Sequence, residues 1–275
     1  MRKKTGGIKM SDNKLHDLYF SQSALDIFQK CRKRFQYRYI DGLYWPAKWG
    51  IDAEIEKELE KGRKFHLLAE RYYLDGSIQD QIVEDPELNA WLKRLKSFLP
   101  YSQYIISSEQ ELRYRHKKFK FLAKYDLLYY NKEKKLIELY DWKTDKKSLL
   151  EKELENSTQS RFYLYLFKKA GQKYYSDKFD IQYNPDLIFW NPRFPEEKKI
   201  INYSDEDFSK DSIYFEDLVG KILMEDEFPM TDNFNICRYC EYRPICRGKQ
   251  TEKREIFEED LDMDLNWEEI EELEF

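Results

Sequence analysis

The chain contains no apolar stretch near the ~20 residues a bilayer requires, and runs such as Phe162–Phe167 and Leu187–Trp190 stop far short. A membrane-spanning helix is therefore not expected. It also lacks a G-x₄-G-K-[ST] phosphate loop, which excludes a helicase-type motor built on that motif. The opening Met1-Arg2-Lys3-Lys4-Thr5-Gly6-Gly7 is charged and has no apolar core of the kind a secretion signal needs. With only four cysteines, a disulfide framework is not expected either, and a reducing, cytoplasmic setting is. No internal repeat is present.

Charge and aromatic rings are plentiful. The 275 residues, 37% of them charged, suffice for one main domain with a substantial core and a polar exterior. The net charge of −5 is set by the end of the chain, because residues 255–275 carry eleven acids and no base. Subtracting those eleven from 53 acids leaves 42 against 48 bases, so the rest of the chain has a small positive excess compatible with a phosphate-binding groove. Basic clusters at Lys30–Arg38 and Arg113–Lys124 are candidates for its walls. Rings interleaved with cations in Arg32–Tyr39 could stack unpaired bases, although aromatics more often fill strands and cores.

Hydrophobic periodicity predicts an N-terminal helix, a helical insertion from about 45 to 99, strands near 106–115, 118–130 and 135–143, a helix over about 157–170, and a strand at 181–190. This order implies an α/β fold with a mixed sheet flanked by helices. The strand ending in Asp126-Leu127-Leu128-Tyr129-Tyr130, the polar turn Asn131–Lys135 and the returning Leu136–Lys143 form a hairpin. Asp126 and Asp141 then lie on neighbouring strands, where a cation such as Mg²⁺ or Mn²⁺ would offset their repulsion. Lys143, two residues from Asp141, faces the same side and could orient or deprotonate the attacking water or offset charge on a phosphate. Alone, such an Asp-x-Lys triplet is far more often a surface ion pair. His66 lies on an amphipathic helix one turn before Glu70. Gln159 and Tyr163 share a helix face after a cap in Asn156-Ser157-Thr158.

In order, His66, Asp126, Asp141-x-Lys143 and Gln159-x-x-x-Tyr163 resemble the RecB-like branch of the PD-(D/E)XK nuclease superfamily, and the opening Phe20–Tyr37 is similar to that family's first helix. The resemblance implies a restriction-endonuclease-like fold over residues 19–248. It also implies a Mg²⁺- or Mn²⁺-dependent deoxyribonuclease, with His66, Asp126, Asp141 and the carbonyl of Trp142 as ligands. Lys143, Gln159 and Tyr163 complete the catalytic set. Exonuclease action on single-stranded DNA or DNA ends is implied as well, in repair, recombination or CRISPR adaptation. The rival reading is a non-catalytic nucleic-acid-binding or assembly module with a structural zinc site.

Cys31 stands far from Cys237-x-x-Cys240 and Cys246, and four thiolates complete one metal site. The C-x₂-C spacing alone does not separate zinc from iron–sulfur. The one-plus-three arrangement is similar to that of the CRISPR-associated iron–sulfur exonuclease branch, which implies a [4Fe-4S] cluster joining the N- and C-terminal helical segments. The full division is an extension at 1–18, the nuclease domain at 19–248 with its cysteine region at about 231–248, and an acidic, disordered tail at 249–275. That tail could bind a protein partner or cover the chain's own basic groove.

Overall fold

The computed structural model describes residues 15–43, 53–75 and 83–249. The acidic tail and most of the N-terminal extension lie outside them. Ser21 caps the first helix, α1 (Gln22–Lys30), accepting from the Ala24 N–H. A short helix α2 (Arg32–Phe35) continues it beyond Cys31 into a π-helical turn, Gln36–Ile40. The insertion supplies α3 (Ala53–Asp75) and α4 (Pro86–Phe98). Asp85 caps α4, whose first residue is the proline that needs no N–H there.

Six strands form one mixed sheet: β1 (Tyr19–Phe20), β2 (Ile105–Arg115), β3 (Lys120–Asn131), β4 (Leu136–Trp142), β5 (Asp186–Trp190) and β6 (Lys198–Ile201). The predicted hairpin is β3–β4. Asn131 Oδ1 accepts from the Lys134 N–H at 3.0 Å, and Lys135 takes φ +53° to complete the turn. β2 runs antiparallel along one edge of β3. β1 at Lys120–Phe121 and β4 at Leu127–Asn131 share the other edge, which leaves Leu122–Asp126 between them without a strand partner on that side among the described residues.

Ser157 caps the helix after the hairpin, as its sequence implied. That helix is α6 (Thr158–Leu166), preceded by α5 (Glu151–Asn156), and it passes through a second π-turn, Phe167–Gly171, into α7 (Gln172–Ser176). Gly171 is required there, because a Cβ would meet the Phe167 ring at 2.8 Å. The expected strand at 181–190 is shorter than predicted, since Pro185 cannot donate to a ladder and pairing begins only at Asp186. Hydrophobic periodicity did not delimit β1, β6, the long α8 (Asp205–Leu223) or the two short cysteine-bearing helices, α9 (Phe234–Arg238) and α10 (Arg243–Arg247).

Alternation on the central strands divides the interior into two cores. Leu139, Leu187 and Phe189 face α1, α6 and α8, while Tyr140, Trp142, Ile188 and Trp190 face the insertion helices. On β3 the alternation slips: Tyr125 and Leu128 belong to the first core, but Leu127 belongs to the second. Asp126 sits at this slip.

Candidate active site and cysteine site

β3 and β4 part at the site. Their ladder ends at Leu127–Tyr140, one pair short of Asp126 and Asp141. The backbone N–H of Trp142 instead donates to Asp126 Oδ2 at 2.5 Å. β4 stays parallel to β5 through Asp141–Phe189 and Trp142–Trp190, and the Lys143 N–H donates to the Trp190 carbonyl, so the strand end carrying the Asp-x-Lys triplet is fixed from both sides.

The six residues singled out by their order converge. His66, 6% exposed on α3, places Nδ1 3.3 Å from Asp126 Oδ1. Lys143 Nζ lies 3.0 Å from Asp141 Oδ1 and donates to Gln159 Oε1 at 3.0 Å, while Gln159 Nε2 donates to Asp141 Oδ2 at 2.6 Å. Tyr163, one turn further along α6, is buried, and its carbonyl accepts from the buried Tyr125 hydroxyl. For Trp142 the contact made is through the N–H. Glu70, one turn from His66, accepts a hydrogen bond from Ser108 through its backbone carbonyl.

Sequence reasoning missed Glu109. It stands on β2 across from Asp126, between the pairs Ser108–Leu127 and Gln110–Tyr125, and its φ of +48° is a left-handed conformation that a glutamate adopts only under constraint. Ligand atoms of His66, Glu109 and Asp126 all lie within 4.8 Å of one another. Lys124 Nζ approaches Glu109 Oε2 at 2.6 Å. No spacing rule points to a residue placed by a backbone kink.

Burial dominates the electrostatics. It pushes the Asp141 carboxyl up to about 7, with Lys143 opposing and Asp126 adding to the rise. It raises Glu109 to about 7 as well, helped by Asp126 and opposed by Lys124 and His66. Buried carboxyls whose charged forms are disfavoured by one another call for a further cation. One imidazole and hard carboxylate oxygens form a donor set that suits Mn²⁺ or Mg²⁺, the imidazole favouring Mn²⁺. Asp126 Oδ1 and Asp141 Oδ1 meet only the ion-pair groups of His66 and Lys143 among the described residues, whereas the second oxygen of each carboxylate accepts a well-formed hydrogen bond, from the Trp142 N–H and from Gln159. The residues therefore fit a divalent ion.

Cys31, Cys237, Cys240 and Cys246 line a separate cavity with Arg34, Met230, Tyr242, Arg243 and Arg247. None forms a disulfide. Burial pushes the Cys240 thiol up to about 12, with Glu241 contributing and Arg34 opposing. Four sulfurs around one space fit a tetrathiolate-bound metal group. The first helices and the C-terminal segment are also joined directly: Arg34 pairs with Glu241 at 3.0 Å, the Lys33 N–H donates to the Pro229 carbonyl, and the Tyr242 hydroxyl donates to the Leu43 carbonyl.

The basic clusters fare differently. In Lys30–Arg38, Lys30 pairs with Asp26, Arg32 with Glu225, and Arg34 and Arg38 with Glu241. The rings there pack inward: Phe35 is fully buried, Tyr39 leans on it and Tyr37 on Tyr242. In the second cluster, Arg113, Arg115 and Lys120 gather around the Tyr19 ring at 5.4, 5.8 and 5.5 Å. No helix among the described residues is long and apolar enough to cross a membrane.

A family model for the PD-(D/E)XK nuclease superfamily matches residues 19–247. A comparison with curated proteins yields no match. Among solved structures, similarity is found to a presumptive exonuclease from Eubacterium rectale (10% identity, TM-score 0.48, covering 96% of this chain and 100% of that one). A second is SSO0001 (17% identity, TM-score 0.36, covering 88% and 96%). The family match spans most of the chain, and the mixed sheet flanked by helices agrees with it: this chain belongs to the PD-(D/E)XK nuclease superfamily and is a hydrolytic nuclease.

Proposed function

We propose that the protein is a divalent-metal-dependent deoxyribonuclease acting on single-stranded DNA or DNA ends. The observation carrying this reading is the meeting of His66, Glu109 and Asp126 with Asp141, Lys143 and Gln159 in one buried, acid-rich site. The preference for ends and for exonuclease action rests on the resemblance of the ordered motif to the exonuclease branch. Duplex DNA would have to be opened by another protein or by fraying.

His66, Asp126 and Asp141 would hold the ion, which when bound supplies Lewis-acid stabilisation of charge on the phosphate. Gln159 keeps the Lys143 ammonium and the Asp141 carboxylate in fixed relation, accepting from one and donating to the other. Lys143 then orients the attacking water, takes a proton from it when Nζ is neutral, or as the ammonium offsets charge on the phosphate. Tyr163, on the next turn of α6, would brace the site or the substrate strand together with Gln159. Arg113, Arg115 and Lys120 offer phosphate contacts at the turn end of the β2–β3 ribbon, with Tyr19 among them.

The four cysteines would hold a [4Fe-4S] cluster with a structural role, the choice over zinc resting on the one-plus-three arrangement. The test of the activity is incubation of end-labelled single-stranded DNA with Mn²⁺. Cleavage by the parent and none by Asp141→Ala is the expected result, and equal cleavage by both would overturn the assignment.

A further inference from the structure

We propose that Glu109 is a ligand of the active-site ion, and that Lys124 is its stand-in counter-charge, displaced from Glu109 when the ion binds. The inference deepens the nuclease reading and rests on it.

Three observations carry it. First, the Glu109 carboxylate is 8% exposed and shares a 4.8 Å space with His66 and Asp126, a spread that metal–ligand bonds of about 2.0–2.3 Å bridge with small movements. Second, the backbone departs from regularity on both strands at this point: Glu109 is left-handed and the alternation of β3 slips at Asp126. Together the two departures aim carboxylates from adjacent strands at one imidazole. A strand glutamate with no task at this place would gain by turning outward, as Glu111, Arg113 and Arg115 do along the exposed face beyond it. Third, the ammonium of Lys124 already sits 2.6 Å from Glu109 Oε2. A divalent ion in the same space replaces one positive charge by two and repels that ammonium. Lys124, 26% exposed, is then turned toward solvent, where a phosphate of the substrate strand would meet it.

Isothermal titration of the chelated full-length protein with Mn²⁺ alone, without DNA, tests this. Glu109→Gln should weaken Mn²⁺ binding at least about tenfold, since even outer partners of metal ligands carry that much. Lys124→Gln should tighten it, and the gain should vanish when both changes are combined, because the ammonium competes through Glu109. Should Glu109→Gln fold poorly, Glu109→Asn, which tolerates the left-handed backbone, replaces it. Parent-like Mn²⁺ affinity in the folded Glu109 variant, or a Lys124→Gln gain that persists without Glu109, overturns the inference. A parent that binds Mn²⁺ in this way but leaves DNA intact instead overturns the nuclease reading.

Discussion

Trp142 and Asp126 are joined across the parting of two strands: the N–H of one donates to Oδ2 of the other at 2.5 Å. That bond takes the place of the next rung of the β3–β4 ladder. It also fixes which oxygen of Asp126 remains for His66 and for an ion. A side chain acts here as a strand would, and the site opens in the space that the missing rung leaves.

Lys143→Met removes the ammonium while keeping most of the buried stem. Cleavage of end-labelled single-stranded DNA should fall by about 10²–10⁴-fold, the usual range for a positioned proton-transfer group, with the circular dichroism spectrum unchanged. A variant as active as the parent would show that Lys143 is only the ion-pair partner of Asp141.

Gln159→Leu should cost stability as well as rate. It strips a hydrogen bond from each of two buried charged groups, Asp141 and Lys143, and such losses run to about 1–3 kcal/mol. Chemical denaturation of the metal-free protein measures the effect. A midpoint equal to the parent's would remove Gln159 from the role of tie.

Arg193 joins the insertion to the strand end. Its guanidinium reaches Glu58 at 2.6 Å and Glu87 at 3.1 Å, donates to the Thr144 carbonyl at 2.9 Å and lies 4.5 Å from the centre of the Trp91 ring. Glu58 is eight residues before His66 on α3, so this contact helps set the approach of the imidazole to Asp126. Arg193→Lys keeps the charge but loses the fork and should weaken Mn²⁺ binding about tenfold by calorimetry. Unaltered binding would limit Arg193 to packing.

Cys240→Ser should lower the melting temperature sharply and bleach the brown colour of an iron–sulfur protein. Closing a chain segment of the length between Cys31 and Cys237 restricts the unfolded state by roughly 5 kcal/mol in the loop-entropy picture. A soluble variant with the parent's melting temperature would deny the cluster any clamping role, leaving contacts such as Arg34–Glu241 to hold the two segments.

Arg113→Ser and Arg115→Ser together should lower affinity for single-stranded DNA and flatten its dependence on salt, by about 0.7 in slope for each phosphate that is no longer neutralised. Fluorescence anisotropy at several salt concentrations reads this directly. A parallel drop with no change in slope would place these arginines outside the DNA path.

Much of the site was legible because its parts obey local rules. The β3–β4 hairpin follows from alternation and a polar turn, and Ser157 announces its helix by capping it. Spacing alone then puts Asp141 beside Lys143, and Gln159 beside Tyr163. Glu109 stayed hidden because its placement depends on a left-handed residue and a slipped strand, and neither leaves a mark in a hydrophobic pattern. The π-turns were equally invisible, since Phe167–Gly171 continues a helix whose periodicity does not distinguish the wider coil. β1 and β6 are two and four residues long, below the length at which alternation can be recognised.

The slip on β3 also sets the phase of the interior. Residues before Tyr125 and residues after Leu128 count out their inward and outward positions from different starting points, so each half of the strand is keyed to its own packing partners. Deleting one residue within this short interval would restore an unbroken alternation, but it would move one half of the strand by one residue against its partners on β2 and β4. The acid at the centre is thus held by a counting error that the packing on both sides of the sheet enforces.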